Sequence, residues 1–180
     1  MPARRVAVAA LMAALIAASA WVSVPAGDVP VTLQTLVIVL AACVLRPGEA
    51  LSAVGVYVLA GAVGLPVFAG GKAGLVVLAG PTGGFLIGFI VGAAVGAWVR
   101  EQTERSTSGS AADALAALSV LAIVYLCGWA HIAFVLGAGP VAAFAGAVLP
   151  FLVPDAIKAA GAVWLAAALR RSGAVARAEK

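Results

Sequence analysis

An acid and an amine three positions apart, Asp155 and Lys158, interrupt an otherwise apolar stretch, PFLVPDAIKAAG. At i and i+3 they share one helical face, where they offer a polar ligand an acceptor and a donor side by side. Ionisable side chains at membrane depth are costly and mark functional sites by default. A structural ion pair, or a lysine reaching for the membrane surface, is the alternative reading of the same residues. Pro154 suits the first turn of a helix and Asp155 complements the positive helix end, so the spacing predicts a helix that starts near Pro154.

A second chemical signal is GLPVFAGGKAGLVVLAGPTGGF, from Gly64 to Phe85, where seven glycines and two prolines break up apolar residues. Glycine lets backbone approach a ligand closely, although an ordinary loop has the same composition. A phosphate-binding loop is excluded: Pro66 stands where its first glycine belongs, and Ala73 follows Lys72 in place of Ser or Thr. A third signal, PVTLQTLV, sets Thr32, Gln34 and Thr35 at the start of an apolar run. Threonine there can simply cap a helix, whereas the Gln34 amide can both donate and accept.

These groups need helices to hold them, and the composition states what kind. Of 180 residues 64% are hydrophobic and 10% charged, and mean hydropathy is +1.17. A soluble domain carries about one quarter charged residues, so this chain reads as an all-α integral membrane protein. Apolar runs cover Val6 to about Val24, about Thr32 to Leu45, Ala50 to Leu65, Phe85 to Val99, about Leu115 to Leu136, and a last stretch from near Pro154 to Arg170 and Arg171. The expectation is one membrane domain, residues 1–180, built as a compact bundle of six transmembrane helices, with a hydrophilic loop at 101–112 and a tail at 172–180.

Counting Lys and Arg on alternate sides puts Arg4, Arg5, Arg46, Arg100, Arg105, Arg170, Arg171, Arg177 and Lys180 on one face and Lys72 on the other. The positive face is expected to be cytoplasmic, with both termini inside and the glycine-rich segments outside. Basic residues never form an extended stripe, which argues against nucleic acid as a partner. Arg4, Arg5 and Ala18-Ser19-Ala20 imitate a secretory signal, but five further apolar runs follow and the first is read as a retained helix. Cys43 and Cys127 lie inside apolar runs as small hydrophobes, with no disulfide inferred. His131 stands with no acid or cysteine at a motif spacing, so neither a catalytic nor a metal-binding set is assigned. Tyr57, Trp21, Trp129 and Trp164 are interface anchors or pocket walls. Ala9, Ala13 and Ala17, and beside them Ala10, Ala14 and Ala18, recur at spacing four and give the first helix a smooth strip for close helix contact.

Taken together, VPVTLQT, GLPVFAGGKAG followed by LAGPTGGFLIGF, and the C-terminal PxxxPDxxK resemble the BioY family, the biotin-specific substrate-binding components of energy-coupling factor transporters. The motifs run in family order from Val29 to Lys158. The resemblance implies a six-helix protein of the bacterial cytoplasmic membrane, surrounded by lipid, that binds biotin from outside. It implies delivery through a module of one transmembrane coupling protein and two ATPases, with ATP used only on those partners and no cofactor on this chain. By the same resemblance Asp155 and Lys158 contact the ligand, Thr32, Gln34, Phe68, Gly71, Gly80, Thr82 and Gly83 form the pocket, and the strip of Ala9, Ala10, Ala13, Ala14 and Ala17 meets the coupling protein.

The chemistry suits biotin independently, since a ureido ring has two N–H donors and one carbonyl acceptor to set against Asp155 and Lys158. Phe68, Val77, Leu78 and Trp164 are available as apolar walls. The tail carboxylate falls to Lys72, Gln34 or backbone amides, or to Lys158 in an inverted pose. The competing class is a self-sufficient secondary carrier for biotin or a related small vitamin. An intramembrane enzyme would need more converging groups than one acid and one lysine.

Overall fold

The apolar runs fold as helices, described for residues 3–173 in a computed structural model. Helix α1 (Ala3–Trp21) leads into a two-stranded antiparallel ribbon, β1 (Ser23–Val24) and β2 (Val31–Thr32), with Ser23 opposite Thr32. Helices α2 (Gln34–Val44) and α3 (Pro47–Ala62) follow, then a 3-10 turn (Ala69–Gly71) and the short α4 (Leu75–Ala79). The chain continues through α5 (Gly83–Thr103), α6 (Gly109–Val135), α7 (Pro140–Ala147) and α8 (Leu149–Arg171).

Helices α5 and α6 form the tightest pairing, and glycine makes it possible. Gly84, Gly88, Gly92 and Gly96 fall one turn apart on the α5 face that meets α6. A Cβ added at these positions would stand 2.4 Å from the Cys127 carbonyl oxygen, 2.9 Å from Val124 Cα, 3.2 Å from the Val120 carbonyl oxygen and 2.5 Å from a Val120 methyl. Contacts that short force the backbones apart, so only glycine allows this approach. Around the pair, Ile16, Ile38, Val39, Val54 and Val120 are fully buried, while Leu118, Phe134, Val141 and Trp164 face outward. Apolar side chains on both the inside and the outside are what a helix bundle in lipid requires. Among the described residues, three segments are long and apolar enough to cross a membrane: α5, α6 and the span Pro140–Arg171, while α1 and α2 are shorter apolar helices.

The observed boundaries correct the expected ones at two places. The last helix begins at Leu149 rather than near Pro154, which sits in its interior. Pro150 occupies the first turn, where a missing amide hydrogen is harmless, while Pro154 removes one helical hydrogen bond. One side of this turn is held in the bundle: Phe151 is buried, with its ring centroid 6.0 Å from that of Phe85. The stretch 101–112 is not all loop either. Helix α5 runs on to Thr103, and α6 starts at Gly109 behind Ser108, whose Oγ accepts the Ala111 N–H at 3.3 Å. Arg177, Lys180, the tail beyond residue 173 and the Arg4 side chain lie outside the described residues.

Candidate functional site

The chain turns from β2 into α2 beside the midsection of α8, and the polar residues of both segments converge there. Asp155 and Lys158 share one helical face, as expected, form an ion pair there, and are 3% and 8% exposed. The Lys158 ammonium also donates to the Thr32 carbonyl oxygen at 2.8 Å, and the Tyr125 hydroxyl donates to Asp155 Oδ2 at 2.9 Å. Thr32 Oγ1 donates to Gln34 Oε1 at 3.1 Å, and Gln34 Nε2 donates to the Tyr57 hydroxyl at 2.6 Å. Thr32 Oγ1 also accepts the Gln34 N–H at 3.3 Å, in the local turn that starts α2.

This network keeps capacity in reserve. An ammonium has three donors, and Lys158 uses two of them. Asp155 Oδ1 is buried against the Lys158 ammonium and Oδ2 accepts from Tyr125, so a lone pair remains on each oxygen. Asp155 and Lys158 both line an open cavity of about 60 Å³.

The cavity wall combines the polar set of Thr32, Gln34, Thr35, Thr82, Asp155 and Lys158 with Phe68, Val77, Phe85, Leu86, Phe89, Val124 and Phe151. Phe68 is fixed from behind: it is 1% exposed, and its ring packs edge-on to Tyr57 with centroids 5.7 Å apart. It also lies over Gly61, where an added Cβ would stand 2.2 Å from the ring. Gly71, Gly80 and Gly83 border this wall rather than line it. Gly80 instead offers its carbonyl oxygen to His131 Nε2 at 3.0 Å, which makes His131 a brace for the corner before α5. Trp164 is no pocket wall, being 64% exposed on the outward face of α8. The alanines of α1 divide by direction: Ala13 is buried, Ala9 and Ala17 are half-buried against the core, and Ala10 and Ala14 are exposed.

Sequence reasoning missed Tyr125 and the aromatic floor of Phe85, Phe89 and Phe151. Tyr125 is the one hydroxyl-bearing aromatic ring of its apolar run, and Phe85 and Phe89 stand at i and i+4; both were available signals. A second charged cluster was missed as well. Asp113, fully buried on α6, pairs with Arg100 of α5 at 2.9 Å and with Arg170 of α8. Arg170 reaches the Cys43 carbonyl oxygen of α2 at 3.4 Å, and Arg100 pairs with Glu104 at 3.0 Å. Along α8, Arg170 lies fifteen positions beyond Asp155, about 22 Å of helix, which places this cluster at the far end of the bundle.

Comparison with other proteins follows from that geometry. A sequence profile described as BioY family matches residues 1–174. The "Probable biotin transporter BioY" of Pyrococcus horikoshii is 38% identical over 170 residues, covering 94% of this chain and 98% of that protein. The "Biotin transporter BioY" of Rhodobacter capsulatus is 36% identical over 165 residues, covering 86% and 87%. Among solved structures, the S-component for biotin from an ECF-type ABC transporter superposes with a TM-score of 0.86 at 24% identity, over 93% of this chain and 91% of that one, a likeness of fold. The chain belongs to the BioY family.

Proposed function

We propose that this member of the BioY family is the biotin-capture component of an energy-coupling factor importer. It binds the vitamin and does no chemistry on it. The observation that carries the reading is the buried Asp155–Lys158 pair on the wall of an aromatic cavity, with one ammonium N–H and carboxylate lone pairs to spare. A ureido ring answers both: one N–H goes to Asp155 Oδ1, and the ring carbonyl accepts the remaining Lys158 N–H. The fused rings lie against Phe68, Phe85, Phe89 and Phe151. Thr32, Gln34 and Thr82 complete the polar wall, and Gly71, Gly80 and Gly83 shape the backbone behind it.

In this reading the chain is a single domain of a bacterial cytoplasmic membrane, crossed about six times with both termini inside and the pocket facing out. The exposed Ala10 and Ala14 of α1, flanked by Ala9, Ala13 and Ala17, meet a transmembrane coupling protein that carries two ATPases. ATP acts only there, and this chain holds no cofactor.

Calorimetric titration of the purified protein with biotin tests capture: one biotin bound per chain is expected, and no heat of binding would refute it. In liposomes, biotin uptake is expected only with the coupling module present. Uptake by the chain alone would make it a self-sufficient carrier. A cysteine at Ser108 is expected to label only from the cytoplasmic side, and labelling from outside would invert the topology.

A further inference from the structure

The pocket holds two cations and one anion: Lys158 is neutralised by Asp155, and Lys72 is left over. Lys72 is exposed where the cavity opens, and among the described residues it makes no ion pair. Its backbone is fixed nonetheless. Phe68 and Lys72 form an antiparallel bridge, with the Phe68 N–H donating to the Lys72 carbonyl oxygen at 3.0 Å. Gly71, at φ 73°, makes the turn between them, and the Gly71 N–H donates to the Phe68 carbonyl oxygen at 3.0 Å. Because the Phe68 ring is clamped between Gly61 and Tyr57, the bridge ties the Lys72 backbone to the bundle core.

The other side-chain nitrogens of the wall already have partners. Gln34 is 3% exposed, with Oε1 accepting from Thr32 and Nε2 donating to Tyr57. Lys158 serves Asp155 and the Thr32 carbonyl oxygen. From the rim inward the site therefore runs from an uncompensated positive charge to a neutral, hydrogen-bonding floor.

We propose that Lys72 is the specificity-determining cation that holds the ligand's carboxylate at the pocket mouth, so that the pocket selects a carboxylate-tailed ligand with its polar head inward. The inference rests on biotin capture as proposed above, and it fixes the pose that capture alone leaves open. The pairing is close to solvent, so it contributes modestly to affinity and weakens as salt is raised.

The test titrates wild type and Lys72→Met with biotin and with biotinamide, whose neutral amide replaces the carboxylate. Wild type is expected to prefer biotin by on the order of fivefold, the strength of a well-placed exposed ion pair. Lys72→Met should erase that preference by weakening biotin while leaving biotinamide unchanged, and Lys72→Arg should restore it. Lys72→Glu should reverse it toward a biotin derivative with an amine-terminated tail. All three variants should melt as wild type does, because the side chain is exposed. An unchanged ratio of biotin to biotinamide in Lys72→Met overturns the inference. So does a preference lost only in Lys158→Met, which would put the carboxylate at the inner pair; in either case biotin capture stands. A wild type that binds neither compound overturns capture and this inference together.

Discussion

Two buried carboxylates hold α8 to the same two neighbours at opposite ends, and they do so with different chemistry. At the far end Asp113 is fully buried, and two arginines take its two oxygens, joining α6 to α5 and α8 while Arg170 reaches α2. At the pocket end Asp155 joins α8 to Tyr125 of α6, and Lys158 joins α8 to Thr32 at the entrance to α2. The two carboxylates are alike in burial. What differs is the remainder: Asp113 has a cation for each oxygen, whereas Asp155 has a single cation and lies on the wall of an open volume. A buried ion pair is therefore poor evidence of a binding site until its unspent hydrogen-bonding capacity has been counted.

The largest expected effect lies at the far end. Asp113→Ala deprives Arg170 of its carboxylate and leaves Arg100 only Glu104, and should destabilise the fold by about 3 to 5 kcal/mol, while the protein that remains folded binds biotin normally. Thermal unfolding in detergent beside a biotin titration measures both, and a variant that melts normally but binds poorly would merge the two clusters into one site. Next come Asp155→Asn and Lys158→Met, each expected to weaken biotin by about 1.5 to 3 kcal/mol, roughly tenfold to hundredfold, with folding retained. The double neutral replacement separates the roles: if it restored full binding, the pocket pair would be a structural staple like Asp113.

Helix α1 supplies a control in which only direction differs. Ala13→Trp forces a large ring into packed space and should destabilise by about 1 to 3 kcal/mol. Ala14→Trp, on the exposed face, should leave melting and biotin affinity unchanged and stop uptake with the coupling module. Loss of biotin binding by Ala14→Trp would assign that face to the pocket's support. The smallest effect belongs to Tyr125→Phe, which removes one neutral donor from Asp155 Oδ2 and should weaken biotin by about 1 kcal/mol. No change in affinity would mean that Lys158 alone orients the carboxylate.

Hydropathy located the helices because burial in lipid needs little more than unbroken apolar length, and the i, i+3 spacing of Asp155 and Lys158 put them on one face as observed. Boundaries were less legible. Pro154 looks like a start signal only while the packing of Phe151 is unknown, and the charges of residues 101–112 are exposed as they look, yet α5 runs on to Thr103 and α6 starts at Gly109. Ala13 and Ala14 are indistinguishable in sequence, since direction on a helix that is apolar all round is set by its neighbours. The partners of Tyr125 and Gln34 lie thirty and twenty-three positions away, beyond any local pattern.

The glycine face of α5 also bears on the order in which the bundle is made. A ribosome delivers α5 and α6 before α8, and two helices joined by the short connection 104–108 can close backbone to backbone as soon as both have entered the bilayer. The tyrosine that will receive Asp155 and the threonine carbonyl that will receive Lys158 are then already in the membrane when the helix bearing those charges arrives. A nascent chain halted before α8 would be a helix-paired apolar body without its charged pair, and the vitamin pocket comes into being with the last helix to be inserted.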